Sequence, residues 1–166
     1  RVLLATKDVA GARKSFERAV VLDPLFFPAV DRLAALDLAD KKPDQARKRF
    51  EAMLAKNPRN TQAIMALAQL TAMTGGTAAQ MLEQITRATQ VDPTQPTPWL
   101  ALVKQHMQSK DFKQAVSAAQ KATLAVPTSA ELVDALGSAQ LAAGEASQAV
   151  LTYNKLLVLQ PRSALA

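Results

Sequence analysis

Residues Asp44–Pro58 read DQARKRFEAMLAKNP, and the placing of four of them decides the fold. A small residue, Ala46, precedes an aromatic one, Phe50. Met53 holds a further slot, and Pro58 closes the segment. The frame recurs in both directions. Ala12, Phe16, Ala19 and Pro24 make one copy upstream; Met81, Ile85, Ala88 and Pro93 make one downstream. Ala115, Ala119, Ala122 and Pro127 follow, then Ala149, Tyr153, Leu156 and Pro161. The closing prolines lie 34, 35, 34 and 34 residues apart. A fixed period of this length belongs to stacked helix pairs, each too small to bury its own apolar face. The small slots sit where two helices must cross closely. The aromatic slot, Phe16, Phe50 and Tyr153, fills space between neighbouring copies.

Local punctuation agrees with the period. Each proline biases the residue before it away from helix and ends a segment there. Pro28, Pro43 and Pro98 instead suit first turns, where a missing N–H donor is harmless. Asp8, Thr77 and Asp111 are caps, and Thr128 with Glu131 fits a capping box. Gly75-Gly76 and Ala143-Gly144 read as turns, and the extra residue of the 35-residue copy is expected in the first of these. No stretch alternates at period two. The expectation is all-α: about nine helices in antiparallel pairs, stacked as a helical solenoid. Its copies fall near 1–26, 27–60, 61–95, 96–129 and 130–163. Val2–Ala5 reads as the tail of a helix, and the chain, starting at Arg1, reads as a piece of a longer one.

Composition narrows the chemistry. There is no cysteine, so disulfides, thiolate metal sites and cysteine nucleophiles are excluded. Apolar residues make up 49% but aromatics only 4%, which suits thin helical layers rich in Ala, Leu and Val. The net charge of +6 has two readings, solvated helix faces or attraction to an acidic partner. No apolar run is long enough to span a bilayer. His106 is the only histidine, with no second nitrogen ligand and no marked nucleophile, so it reads as structural. No phosphate loop, metal spacing or cofactor motif is present. The chain is expected to be non-catalytic and to need no cofactor.

The leading positions of each copy, Val30-Leu33-Ala34, Ile64-Leu67-Ala68, Trp99-Leu102-Val103 and Val133-Leu136-Gly137, complete a recognisable pattern. Together with the small, aromatic and proline slots it resembles the tetratricopeptide repeat, which implies a right-handed α-α superhelix, and Trp99 in the large-apolar slot reads as a packing anchor. One slot departs. Where that family carries a tyrosine late in the first helix, this chain has Asp37, Thr71, His106 and Gln140, and loose packing is expected there. Phe26-Phe27-Pro28-Ala29, Leu36-Asp37-Leu38-Ala39, Ala46–Glu51 and Leu159–Ser163 further resemble the bacterial PEP-CTERM/exosortase-system repeat lipoproteins. That implies an envelope location through an anchor outside these residues.

In the tetratricopeptide family the first helix of each pair lines a concave groove for extended peptides or helices. The resemblance implies groove positions at Asp31, Ala35 and Leu38; at Gln62, Met65, Gln69 and Met73; at Thr97, Leu100, Lys104, Met107 and Gln108; and at Glu131, Asp134, Ser138 and Leu141. The paired Lys and Asn of carboxylate-clamp relatives are missing, leaving Lys104 as the mid-groove cation. The methionines with Leu100 suit a varied apolar partner, or pack between helices. A basic group, Lys41, Lys42, Arg47, Lys48, Arg49, Lys56 and Arg59, lies mostly on a second helix. It reads as a solvated outer face beside Asp44 and Glu51, or as a contact for an acidic polymer. No aromatic interleaving supports nucleic-acid stacking. The leading expectation is a scaffold that binds a protein or peptide segment. The alternatives are an anionic-polymer or polysaccharide binder, and an accessory region of an enzyme lying elsewhere. Val2, Leu3 and Leu4 at one end and Leu156, Leu157 and Leu159 at the other are expected to favour self-association.

Overall fold

The structure, a computed structural model, describes residues 8–159. Among these, every regular element is an α-helix: α1 (Val9–Leu22), α2 (Phe27–Ala39), α3 (Pro43–Lys56), α4 (Thr61–Met73), α5 (Ala78–Val91), α6 (Pro96–Gln108), α7 (Phe112–Ala125), α8 (Ala130–Ala142) and α9 (Ala146–Leu159). Val2–Ala5 and Pro161 lie outside the described residues. Two compact units divide within α5, the first running through Gln84 and the second from Ile85.

Two kinds of turn alternate. The turns holding the closing prolines have four residues. In three of them an Asp or Asn precedes the proline, and its side chain accepts from the backbone N–H two residues on: Asp23 from Leu25 (2.9 Å), Asn57 from Arg59 (3.1 Å) and Asp92 from Thr94 (3.1 Å). Pro58, Pro93 and Pro127 are exposed and Pro24 half-buried, so these prolines act mainly by stopping helices. The other turns have three residues, except Thr74–Thr77, which has four and so holds the extra residue. Each of these turns carries one left-handed residue, Lys41, Gly75, Lys110 or Gly144. The next N–H then bonds back across the helix end, as Lys42 does to the Asp37 carbonyl and Glu145 to that of Gln140, both at 2.8 Å.

Side-chain caps fix four starts, as expected at Asp8, Thr77 and Asp111 and, beyond expectation, at Asn60. Asp8 accepts from Gly11 N–H at 2.8 Å, Asn60 from Ala63 at 2.9 Å and Asp111 from Gln114 at 3.3 Å. Thr77 and Gln80 cap each other reciprocally. The start of α8 differs from expectation. Ser129, not Thr128, accepts from Leu132 N–H at 3.4 Å. The helix begins at Ala130, so Thr128 lies one residue too early for its hydroxyl to reach the third amide.

In the first unit α1 packs on α2, α2 on α3 and α3 on α4. Phe50 sits in a core with Val30, Ala34, Met53, Ala63 and Leu67, joining three helices, and its ring stacks on Phe27 at 6.2 Å. Truncating it to alanine would cost about 3–5 kcal/mol. Phe16, in the equivalent slot of α1, is half-buried. In the second unit α7 lies between α6 and α8, which also touch each other, and α9 packs on α8. Ala115, Ala119 and Ala122 are fully buried on α7; side chains this small let three helices approach closely. Ala46 and Ala149 are equally inaccessible. Trp99 is buried and donates from Nε1 to the Pro93 carbonyl at 2.9 Å. Gly137 faces the ring of Tyr153, and a Cβ there would lie 2.6 Å from the ring's Cζ.

The late slot of the first helices is not loose. Asp37, Thr71 and Gln140 are buried, and His106 is half-buried. Each buried side chain finds a partner. The Thr71 hydroxyl donates to the Leu67 carbonyl at 2.8 Å, and Gln140 accepts from the Thr152 hydroxyl at 2.7 Å. The Asp37 carboxylate is held by Arg13, at 2.7 Å, and by Arg49, tying α1, α2 and α3 together. Arg13 also reaches Asp40 at 2.8 Å. Burial pushes the Asp37 carboxyl up, but hydrogen bonds from Arg49 and Arg13 more than offset it and hold it below the usual carboxylate value. The same contact, set against some burial, raises the Arg13 guanidinium.

Candidate functional site

The expected binding positions lie on the first helix of each pair, α2 and α4 in the first unit and α6 and α8 in the second. On α2, Asp31 and Leu38 are half-buried and Ala35 is exposed. On α4, which touches α2, Gln62 and Gln69 are exposed, Met65 is half-buried, and Met73 is 63% exposed. Ile64, Leu67 and Ala68 of the same helix are buried, so α4 has one face turned inward and one left to solvent.

In the second unit α6 and α8 run beside each other. Thr97, Lys104 and Gln108 are exposed on α6, with Leu100 and Met107 half-buried between them. Across from them α8 exposes Glu131, Asp134 and Leu141. Ser138 is half-buried, with its hydroxyl 3.2 Å from that of Tyr153. Of the three methionines assigned to the face, Met73 is thus largely offered to solvent, while Met65 and Met107 are half-buried. The face mixes apolar, amide and charged side chains.

Most of the basic residues are exposed, and one is drawn inward. Lys41 and Lys42 are exposed on the turn before α3. Arg47 is half-buried, and Lys48, Lys56 and Arg59 are exposed. Arg49, grouped with the outer cations from sequence, instead turns toward the buried Asp37. In the sequence Asp37 stands only where a tyrosine is missing, and the ion triad is visible once its partners on α1 and α3 are placed. Lys48, Arg49 and Lys56 line a cleft of about 420 Å³ with Val20, Pro24, Val30, Ala52 and Met53. His106 is half-buried on α6. Among the described residues no cluster of three or more His, Cys, Asp or Glu could hold a metal ion, and no helix is long and apolar enough to cross a membrane.

Comparison with known proteins agrees with this architecture. Residues 100–164 match the family model of the tetratricopeptide repeat. The fold of the chain is all-α and of the tetratricopeptide type. Among solved structures it is similar to MamA, with a TM-score of 0.67 and 16% identity over 98% of this chain and 88% of that one. It is similar to YrrB, described as a tetratricopeptide protein with an unusual peptide-binding site, with a TM-score of 0.62 and 16% identity over 97% and 82%. It is also similar to TTC0263, a thermophilic tetratricopeptide protein of Thermus thermophilus, with a TM-score of 0.60 and 22% identity over 96% and 87%. No curated protein matches the sequence.

Proposed function

We propose that the chain is a non-catalytic scaffold whose first-helix faces take up a peptide or helical segment of a partner protein. The observation that carries this is the pair α6 and α8. They lie side by side with Leu100, Lys104 and Met107 on one and Asp134 and Leu141 on the other accessible, while their opposite faces are buried. Half-buried apolar side chains beside exposed charges are what a side-chain-reading surface needs. A peptide partner is in keeping with the peptide-binding site named for YrrB. On the first unit Asp31, Gln62, Met65, Gln69 and Met73 form the corresponding contacts. The resemblance to PEP-CTERM/exosortase-system lipoproteins is the ground for placing that partner in bacterial envelope exopolysaccharide or protein-sorting machinery. Exposed Leu157 and Leu159 on α9 would support self-association at that end.

Selection of displayed peptides against the 166-residue chain tests the scaffold reading. Selected peptides should lose roughly tenfold or more in affinity on Lys104→Glu or Met107→Glu. Peptides indifferent to every face substitution would refute the site, and turnover abolished by His106→Ala would refute the non-catalytic reading.

A further inference from the structure

We propose that the cleft between α1 and α3 is a second docking site, separate from the first-helix faces, and that its occupant is an acidic amphipathic helix of a partner protein. Both α1 and α3 pack on α2, and Val30 of α2 lies at the base of the space between them. Val30 and Met53 are almost fully buried and form an apolar floor, with half-buried Val20 and Pro24 on the α1 side. On the α3 side the wall is Lys48, Ala52 and Lys56. They recur at one helical stripe, so the two lysines root about 12 Å apart along the axis. Ala52, small and exposed, keeps the space between them open.

The charge is available to a ligand. Among the described residues neither Lys48 nor Lys56 has a carboxylate partner, whereas Arg49 deeper in the wall is already held by Asp37. An incoming anion therefore meets the two lysines first. At about 420 Å³ the cleft is an open groove with room for apolar side chains projecting from a helix laid along it. A polyanion without apolar groups would pair the lysines and leave the floor wet. A bilayer surface is flat and cannot reach the recessed Val30 and Met53. A helix with an apolar stripe flanked by carboxylates at the same helical spacing meets both requirements.

The test uses the 166-residue chain and a labelled synthetic helical peptide of roughly 18 residues, carrying a leucine stripe flanked by glutamates. Fluorescence anisotropy should show binding, weakened about tenfold by Lys48→Glu with Lys56→Glu, and similarly when glutamine replaces the peptide's glutamates. Ala52→Trp should weaken it as much by filling the cleft while every charge remains. All three positions are exposed, so circular dichroism should be unchanged. Lys104→Glu, which tests the first-helix face, should leave this affinity alone. Three results would each overturn the proposal. One is affinity indifferent to the lysine and Ala52 substitutions. The second is polyglutamate binding as tightly as the peptide, untouched by Ala52→Trp. The third is lysine-dependent binding of phosphatidylserine vesicles that the peptide fails to displace.

Discussion

Asp37 in the first unit and Gln140 in the second occupy the same slot, late in the first helix of a pair. Both are buried, and both are answered by a residue on the following helix, Arg49 and Thr152 respectively. The chemistry differs. Gln140 makes a neutral hydrogen bond confined to one pair of helices. Asp37 makes a charged one, shared with Arg13 of α1, so three helices depend on it. A neutral pair can be deleted with a small loss, whereas a buried carboxylate between two guanidinium groups cannot lose one member without stranding the others. Interior polarity is thus a local detail in the second unit and a joint between successive copies in the first.

The sharpest way to break this comparison is to remove each acceptor. Asp37→Ala should destabilise by about 3 kcal/mol. That is the lower end for a broken buried pair, because Arg13 and Arg49 are each about a quarter exposed and can turn to water. Gln140→Ala should cost about 1–2 kcal/mol. Replacing the triad together, as Arg13→Met, Asp37→Leu and Arg49→Met, should cost less than Asp37→Ala alone. Urea denaturation of the parent chain and these three variants measures this. If Asp37→Ala costs no more than Gln140→Ala, the triad does not join the helices as argued.

Acid should separate the units next. The folded Asp37 carboxyl titrates below its ordinary value of 3.8. A depressed acid contributes stability that is complete above the unfolded value and lost as pH falls through the folded one. Amides of α1–α3 should therefore lose hydrogen-exchange protection below about pH 4 because of this group. The Gln140–Thr152 pair has no titrating member, so it adds no such loss to α8 and α9. The contrast should vanish in the Asp37→Leu triple variant. Unchanged acid sensitivity of α1–α3 in that variant would assign the effect to other carboxylates.

A smaller effect tests the neutral pair. Thr152→Val alone strands the buried Gln140 amide oxygen and should cost about 1–2 kcal/mol. Adding Gln140→Leu should recover most of it, because then neither partner needs the other. Additive losses in the double-mutant cycle would mean that the hydrogen bond is not what holds these side chains.

Most of the fold is legible in the sequence because it is written in local signals. Asp8, Thr77 and Asp111 cap their own helices, and Asp23-Pro24, Asn57-Pro58 and Asp92-Pro93 build the same turn within four residues. At the start of α8 the capping-box pattern points to Thr128, one residue before the actual cap Ser129, because two adjacent hydroxyls offer the same local chemistry. The polar slot was misread for a different reason. A buried Asp looks like a defect until its partners are placed, and these stand 12 and 24 residues away on other helices. A signal did exist: Gln140 and Thr152 repeat the 12-residue offset of Asp37 and Arg49. The third copy, shifted by its extra turn residue, pairs Thr71 with Gln84 in phase. There the bond is not made, and the Gln84 Oε1 is buried without a hydrogen-bond partner. Binding faces are legible only as positions, since exposure of Met73 against half-burial of Met65 depends on packing that no single helix records.

The smallest expected effect concerns the turns, where each unit builds one backbone motif once on lysine and once on glycine. Lys41 and Lys110 adopt φ of 60° and 58°, while Gly144 adopts 80° for the same purpose. A left-handed residue with a Cβ carries a steric cost of about 1–2 kcal/mol, partly offset because glycine loses more freedom on folding. Lys110→Gly and Lys41→Gly should thus each stabilise by about 0.5–1 kcal/mol, and Gly144→Ala should destabilise by a similar amount. Since the motif is the same in both units, the two lysine substitutions should give equal gains. A gain at Lys110 with none at Lys41 would mean that the turn beside Asp37 is held by its neighbouring ion pairs rather than by its own backbone, which would extend the charged joint one element further.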